Sequence, residues 1–293
     1  MTTDNKDDYP DSSRLSILSA REIDELYGLP RFTEEDRRLY FDLSVPERET
    51  VKAVHTTAAA VHLTLQCGYF KAKRRFFIYE PEDVLDDLNF ILPRYFQDWN
   101  VVSIKTLSKP TRLEHQRIIL QLFDYRLCDG RLKVDLEAKA QRVARLSILP
   151  RYILAEILRH LANGRVVAPG YTFLQELVRR VVTGERHRVT LLLAQAMTPE
   201  LREQLEALLQ ADQGMYRLSV LKHEPKDFSY QQLRQEVERR KFFQPLYDFG
   251  ETFLLTTGLS KESVKYYASL IRFYTVYKLQ RMPELTTRLY LGV

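Results

Sequence analysis

The chain has 293 residues, of which 45% are hydrophobic and 28% are charged, and this composition excludes a disordered chain. No apolar run reaches the roughly 18 residues that a membrane helix needs, and the polar, acidic start excludes a signal peptide. The formal net charge of +5 favours polyanionic partners only where basic side chains cluster.

The chain begins with an acidic segment, residues 1–12, which we expect to be disordered, and continues as a series of helices. Ser19 and Thr33 are predicted to cap two short helices, because each precedes acidic first-turn residues. Pro46 is expected to begin a longer helix that Gly68 ends. Thr111 is predicted to cap the helix that follows the basic residues around position 109.

The second half of the chain continues the helical pattern, and the CDGR segment at 128–131 predicts a turn and a domain boundary. Further helices are predicted over 132–147, 150–163, 171–182, 185–197, 229–249 and 261–280. We therefore expect an all-α (mainly α) protein of two or three helical-bundle units with helix-turn-helix-like features. The predicted domains are a first helical domain (13–128), a second, helix-turn-helix-like one (129–212) and a C-terminal helical linker region (213–293).

Motifs of catalysis are missing from the sequence, which has no glycine-rich phosphate loop, no Gly-x-Ser-x-Gly and no His-Glu-x-x-His. His55 and His62 are seven residues apart without an adjacent carboxylate, so surface or core histidines are a better interpretation than a metal site. Cys67 and Cys128 lack metal-ligand spacing and are expected to be reduced thiols in the cytoplasm. We expect no catalytic residue, no metal and no cofactor in this chain.

A basic, aromatic segment at residues 69–79 is the first candidate for nucleic-acid binding. Basic side chains are interleaved there with aromatic ones, so the former could hold phosphates while the latter anchor the segment in the core. An amphipathic connector with a solvated basic edge would show the same pattern. The candidate residues are Lys71, Lys73, Arg74 and Arg75.

A second candidate lies at the start of the helix predicted from Thr111. Recognition helices present base-reading side chains near their N-terminus, and the free backbone N–H groups there can hold a phosphate. A capped surface helix is the equally weighted alternative. The candidates are Lys105, Lys109, Arg112, His115 and Gln116, of which Arg112 and Gln116 suit base edges.

A third candidate is the helix pair at 150–183, although its loop is longer than the three to four residues usual for a helix-turn-helix. Its candidate DNA-binding residues, with those that follow the pair, are Arg151, Tyr171, Thr172, Gln175, Arg179, Arg180, Arg186 and Arg188. Gln175 and Arg179 are again assigned to base edges. A fourth segment, the tyrosine-rich 264–282, is basic without any acidic residue, but a core or interface helix is the favoured interpretation.

Long strings of the sequence carry a family resemblance. LSAREIDELYGLPRFTEEDRRLYFDLS, LQCGYFKAKRRFF and LSKPTRLEHQRIILQLFDYR resemble the N-terminal region of Tn-three family replicative transposases, and so do APGYTFLQELV, LKHEPKDFSYQQLRQEV and LSKESVKYYASLIRFYTVYKLQRM. The strings occur in the right order from about residue 15 to about residue 291. They are therefore more specific than any isolated helix pair.

This resemblance implies sequence-specific binding of double-stranded DNA at transposon terminal inverted repeats, and we expect the domains 13–128 and 129–212 to be the DNA-binding domains. In the family, an Asp-Asp-Glu site that uses Mg²⁺ lies in a longer C-terminal region, so we expect catalysis outside this chain. The resemblance further implies a bacterial mobile element and a cytoplasmic, nucleoid-associated location. The alternative is a truncated regulatory or protein-interaction module that pairs with itself or with a full-length transposase.

Overall fold

The computed structural model describes residues 15–97, 107–212, 215–220, 227 and 229–282. The predicted disordered segment 1–12 therefore lies outside the described residues. The helices are α1 (Ala20–Tyr27), α2 (Glu34–Tyr40), α3 (Val45–Lys52), α4 (Thr57–Lys73), α5 (Leu85–Tyr95), α6 (Lys109–Phe123), α7 (Gly130–Leu146), α8 (Pro150–Asn163), α9 (Tyr171–Ala196), α10 (Pro199–Leu208), α11 (Arg217–Val220), α12 (Tyr230–Thr257), α13 (Lys261–Phe273) and α14 (Val276–Gln280), with one 3₁₀ helix, η1 (Pro81–Val84).

Within the described residues the strands are four two-residue pieces, so the prediction of a mainly α fold is confirmed. β1 (Arg126–Leu127) pairs in parallel with β2 (Val166–Val167), and β3 (Ala211–Asp212) pairs antiparallel with β4 (Met215–Tyr216). Across the described ranges, no helix combines the length and the apolar character that a membrane span requires.

Two compact units divide the chain. Unit 1 comprises 1–136 and 155–176, and unit 2 comprises 137–154 and 177–293. Helices α7, α8 and α9 contribute residues to both units. The predicted boundaries after residues 128 and 212 separate parts that are expected to fold independently. The division into compact units does not test this, so both boundaries stay predictions.

Helix starts were the most predictable local features. Ser19 caps α1 and Thr33 caps α2, each in a reciprocal capping box with the side chain three residues later, as predicted. The prediction for α6 was wrong by one turn. Ser108, not Thr111, is the N-cap, because its hydroxyl accepts the Thr111 backbone N–H at 3.4 Å and Pro110 occupies the first turn.

Gly68 does not end a helix, contrary to prediction. The predicted single helix is two, α3 and α4, and α4 runs through Gly68 to Lys73, where Arg74 caps it with a left-handed φ of 53°. A Cβ on Gly68 would lie 2.2 Å from Cε1 of the buried Phe41 ring. The glycine therefore permits close packing of a ring on the helix, a reason that local sequence does not reveal.

Helix α4 forms the centre of unit 1. It is buried on nearly all sides from Ala59 to Phe70 and contributes to two apolar clusters, as expected for a central helix. One cluster contains Phe41, Tyr69 and Leu88, and the other contains Leu63, Phe70 and Ile119.

A buried ionic network crosses the first of these clusters. The Asp87 carboxylate, 5% exposed, accepts hydrogen bonds from Arg37 Nε and from the Tyr69 hydroxyl, both at 2.7 Å. Burial and the Asp87 charge raise the pKa of Tyr69 far above its usual value, so its hydroxyl remains a donor. The network joins α2, α4 and α5.

Unit 2 is assembled around the later part of α9. Its core includes Val181 and Val189 of that helix, together with Tyr267 and Tyr274 from the C-terminal helices. The predicted helix break between 182 and 185 does not occur, since Gly184 lies inside α9. The tyrosine-rich segment 264–282 is divided between α13 and α14. The burial of two of its tyrosines supports the interpretation as a core helix for that part.

Candidate nucleic-acid interface

Positive charge is concentrated in one unit. Unit 2 contains 22 lysines and arginines against 14 aspartates and glutamates, hence a formal charge of +8. Unit 1 contains 22 against 25, hence −3. A polyanion is therefore attracted by unit 2 as a whole and by unit 1 only through local clusters.

The basic segment of unit 1 is largely engaged inside the protein. Lys71 Nζ donates to Asp42 O at 2.8 Å and forms an ion pair with Glu47 at 3.1 Å. Lys73 Nζ donates to Glu25 O. All four basic residues of this segment stay predicted DNA contacts.

Arg74 and Arg75 both contact aromatic rings. Arg74 is exposed and lies 5.7 Å from the centroid of Tyr125. Arg75 lies 3.7 Å over the ring of Tyr27 and donates to Ala168 O at 3.0 Å. Burial lowers the pKa of Arg75 from its usual value. Most head groups of this segment thus hold parts of unit 1 together.

The start of α6 presents its candidate residues at different depths. Lys109 is exposed, Arg112 and Gln116 are half-buried, and His115 is buried. Lys105 lies outside the described residues. Arg112 and Gln116 face a cleft that also contacts α4, so they are not on a protruding helix surface.

His115 forms a buried pair with a histidine that we had not linked to it. Its Nδ1 lies 2.9 Å from Nδ1 of His62, so one neutral ring donates and the other accepts. His55, which the sequence placed with His62, takes no part in this contact. Two imidazolium ions cannot share this geometry, because each Nδ1 would then be a donor.

Because of this histidine pair, we expect the folded protein to lose stability in acid. Burial, with the charges of His115 and Arg112, lowers the pKa of His62 to about 3, and burial lowers that of His115 against the opposing effect of Glu114. The unfolded chain binds these protons near pH 6.5, so the stability that the neutral pair contributes is complete above that pH and falls as the pH drops towards 3.

Between pH 7 and pH 5, we expect the wild type to lose about 2 kcal/mol more of its unfolding free energy than His62→Gln, which keeps a hydrogen-bonding side chain. Urea unfolding at the two pH values measures this difference. Equal losses in both proteins would contradict the assignment.

The start of α9 holds the N-terminal segment of unit 1. The Tyr171 hydroxyl accepts the backbone N–H of Leu18 at 3.1 Å, and Gln175 Nε2 donates to Leu15 O at 2.7 Å. Thr172 is exposed. Two predicted DNA contacts therefore already have partners within the chain, which sequence reasoning could not foresee across more than 150 residues.

The arginine candidates of unit 2 are more accessible. Arg151, Arg179 and Arg180 are exposed, and Arg180 is 3.3 Å from Glu137. Arg186 donates to the Tyr266 hydroxyl at 2.5 Å, and Arg188 forms a two-bond ion pair with the buried Glu185. Arg186 and Arg188 thus help to fix α9, whereas the other three arginines are exposed and stay predicted DNA contacts.

Sequence reasoning missed two arginines near the end of α7. Arg142 and Arg145 are exposed, one turn apart, and their side chains have no ion-pair partner within the described ranges. Leu146, Leu149 and Tyr152 are exposed beside them. The signal was present in the sequence, because residues 138–155 contain four basic residues and no acidic one.

We call the exposed residues Arg142, Arg145, Leu146, Leu149, Arg151 and Tyr152 the α7–α8 surface. It belongs to unit 2 and surrounds residues 147–149, which connect the two helices. The surface combines three basic side chains with three large apolar ones. Such an arrangement can neutralise phosphates while its apolar part contacts sugars or thymine methyl groups.

Metal chemistry has no support in the described ranges, where no three His, Cys, Asp or Glu residues converge. Cys67 and Cys128 are both free thiols, and burial raises the pKa of Cys67 to about 12. Cys67 is therefore protonated at neutral pH and unsuited to nucleophilic chemistry.

Comparison with known proteins gives one family. No curated protein matches the chain. The family described as "Domain of unknown function (DUF4158)" matches residues 17–181, which is more than half of the chain and includes α1 to α8. The chain therefore belongs to the DUF4158 family.

Proposed function

We propose that this chain binds double-stranded DNA at the terminal inverted repeats of a transposon, as the N-terminal part of a Tn-three family replicative transposase. The observation that carries the proposal is the α7–α8 surface, a group of exposed basic side chains in the unit that has a charge of +8, within a stretch of sequence (138–155) that contains no acidic residue. The resemblance of long, ordered strings to such transposases supports the choice of DNA site. Binding to DNA, the proposed partner, requires no catalytic residue in this chain.

The α7–α8 connection supports duplex binding better than the α8–α9 connection that the sequence suggested. Only Ser147, Ile148 and Leu149 separate α7 from α8, which is the length usual for a helix-turn-helix. Seven residues separate α8 from α9, and β2 lies among them. In this proposal α8 takes the place of the recognition helix.

The first turn of α8 offers groups suited to the major groove. Recognition helices contact bases through their N-terminal residues, and Arg151 and Tyr152 are exposed at this position. An arginine can read guanine through two hydrogen bonds. Arg142 and Arg145 would hold the flanking phosphates, and Arg179 and Arg180 would extend the basic area along α9.

A gel-shift titration tests the proposal directly. The probe is the terminal inverted repeat of the element, and the control is scrambled DNA of equal length, each at several salt concentrations. We expect a preference of about a hundredfold for the repeat and, for about six neutralised phosphates, a log–log salt slope of about −5. Neither Mg²⁺ nor another metal is needed for this binding.

Equal and weak binding to both DNAs would overturn the proposal and favour a protein-interaction module. The observation behind that alternative is α12, a 28-residue helix in which Phe253 is the buried residue. Its large apolar side chains Tyr230, Leu233, Tyr247 and Leu255 are exposed. Those residues are then the place to seek contacts with a second copy or with a full-length transposase.

A further inference from the structure

A cleft in unit 1 has the composition of a small-ligand site. Its volume is about 250 Å³, and it lies between the start of α6, the middle of α4 and residues 76–78. Small-molecule sites are mostly apolar with a few converging polar groups, and they begin at roughly 300 Å³. At about 250 Å³ the cleft is slightly smaller than such sites, so it suits part of a nucleotide-sized molecule whose remainder lies at the rim, and not a duplex.

Three polar side chains of α6 line the cleft from one helix face. Lys109, Arg112 and Gln116 follow one another at spacings of three and four residues, which places them in a row. Their side chains have no hydrogen-bond or ion-pair partner within the part of the chain that the structure describes. The Arg112 guanidinium therefore has donors available for an anionic ligand in the cleft.

The charge of the lining has one sign. Two cations face the cleft, and the described lining contains no carboxylate. Glu114, which lies on the same helix, forms an ion pair with Arg117 and does not line the cleft. The cleft is also next to the N-terminal end of α6, whose dipole favours an anion.

The walls of the cleft are fixed before any ligand arrives. Gln66 holds the Phe77 backbone through two hydrogen bonds, accepting from its N–H at 3.2 Å and donating to its carbonyl at 2.6 Å. The His62–His115 pair fixes α4 against α6. At the rim, Ile78 and Leu113 expose 79% and 54% of their surface, which leaves two apolar side chains for a flat group.

We propose that this cleft binds a nucleoside monophosphate unit. Lys109 and Arg112 bind the phosphate, because a guanidinium fork matches two phosphate oxygens. The base lies between Ile78 and Leu113, and the Gln116 amide can both donate to and accept from its edge. The unit can come from a free nucleotide or from the 5′ end of a DNA strand, since both present the same phosphate and base.

Calorimetric titration of the full chain tests the site with deoxyadenosine monophosphate, deoxyadenosine and inorganic phosphate as probes. We expect the monophosphate to bind, and deoxyadenosine to bind at least about tenfold more weakly. Arg112→Gln should weaken binding of the monophosphate by about tenfold or more. Arg117→Gln removes the same charge from the same helix outside the cleft and should change binding less than about twofold.

Two short duplexes without inverted repeats distinguish a strand end from a free nucleotide as the ligand. Each has a one-nucleotide overhang, which carries a 5′-phosphate in one duplex and a 5′-hydroxyl in the other. A phosphate-dependent affinity that Arg112→Gln removes, without binding of the free nucleotide, identifies a strand end as the ligand. Binding of the free nucleotide identifies a soluble ligand. If neither probe binds, or if Arg112→Gln and Arg117→Gln behave alike while melting as the wild type does, the proposal is wrong.

Nucleotide binding at this cleft is expected to be independent of the proposed repeat binding. Substitutions in the α7–α8 surface should leave nucleotide binding unchanged, because that surface belongs to unit 2. Loss of repeat preference with retained, Arg112-dependent nucleotide binding would reject the proposed function alone.

Discussion

Replacing Asp87 with alanine should lower the free energy of unfolding by about 3–5 kcal/mol, which is the usual consequence of removing one partner from a buried ion pair. The substitution leaves Arg37, whose side chain is 17% exposed, without its closest carboxylate. It also leaves the fully buried Tyr69 hydroxyl without its acceptor. A buried donor without an acceptor adds its own desolvation cost.

Asp86 provides a matched control for this variant. Its carboxylate lies 3.4 Å from the same arginine, but its side chain is 82% exposed. Asp86→Ala should therefore cost less than about 1 kcal/mol, as is typical of surface ion pairs. Urea unfolding followed by circular dichroism measures both variants. Similar losses for the two would show that burial of the Asp87 network does not determine its contribution.

Features determined by neighbouring residues were predictable from sequence. The capping boxes at Ser19 and Thr33 depend on a side chain three residues away, so the pattern contains the whole interaction. The mainly α fold follows in the same way from helical spacing and few glycines and prolines. The DUF4158 match covers much of the region whose strings suggested a transposase, although it assigns no function.

Features determined by distant residues were not predictable. Gly68 resembles a helix stop, and only the Phe41 ring that packs on it shows why glycine is required. The same reason explains the basic segment. Lys71 and Arg75 resemble phosphate-binding groups, yet their partners Asp42 O and Ala168 O are 29 and 93 residues away.

Most of the proposed α7–α8 surface was not among the sequence candidates, for a related reason. Sequence reasoning looked for clusters of basic residues with aromatic neighbours, and in unit 1 the fold turned many of these inwards. The α7–α8 surface has a weaker local signal, since its arginines are spaced over 142–151. Their exposure becomes clear only when Val143 and Ala144 are seen to be buried on the other side of α7.

Substituting glutamine for Arg142, Arg145 and Arg151 together should weaken binding to the inverted repeat by about tenfold to a thousandfold at physiological salt. Each lost phosphate contact reduces the log–log salt slope by about 1, and each lost base contact costs about 1–3 kcal/mol and relaxes specificity. The slope should therefore become less negative by about 2 to 3. Fluorescence anisotropy with the repeat and with scrambled DNA measures both quantities.

A control variant that also loses three charges distinguishes the effect of this surface on DNA affinity from the effect of net charge. Arg21, Arg38 and Arg117 are exposed, and each forms an ion pair with a glutamate on its own helix. Glutamine at these three positions should change affinity by less than about threefold, because each charge is already compensated locally by its glutamate and the remaining long-range attraction is screened by salt. If this control weakens binding as much as the α7–α8 variant does, attraction is a property of the whole chain. If only the α7–α8 variant loses affinity and its preference for the repeat, the residues around the three-residue turn are those that recognise the transposon end.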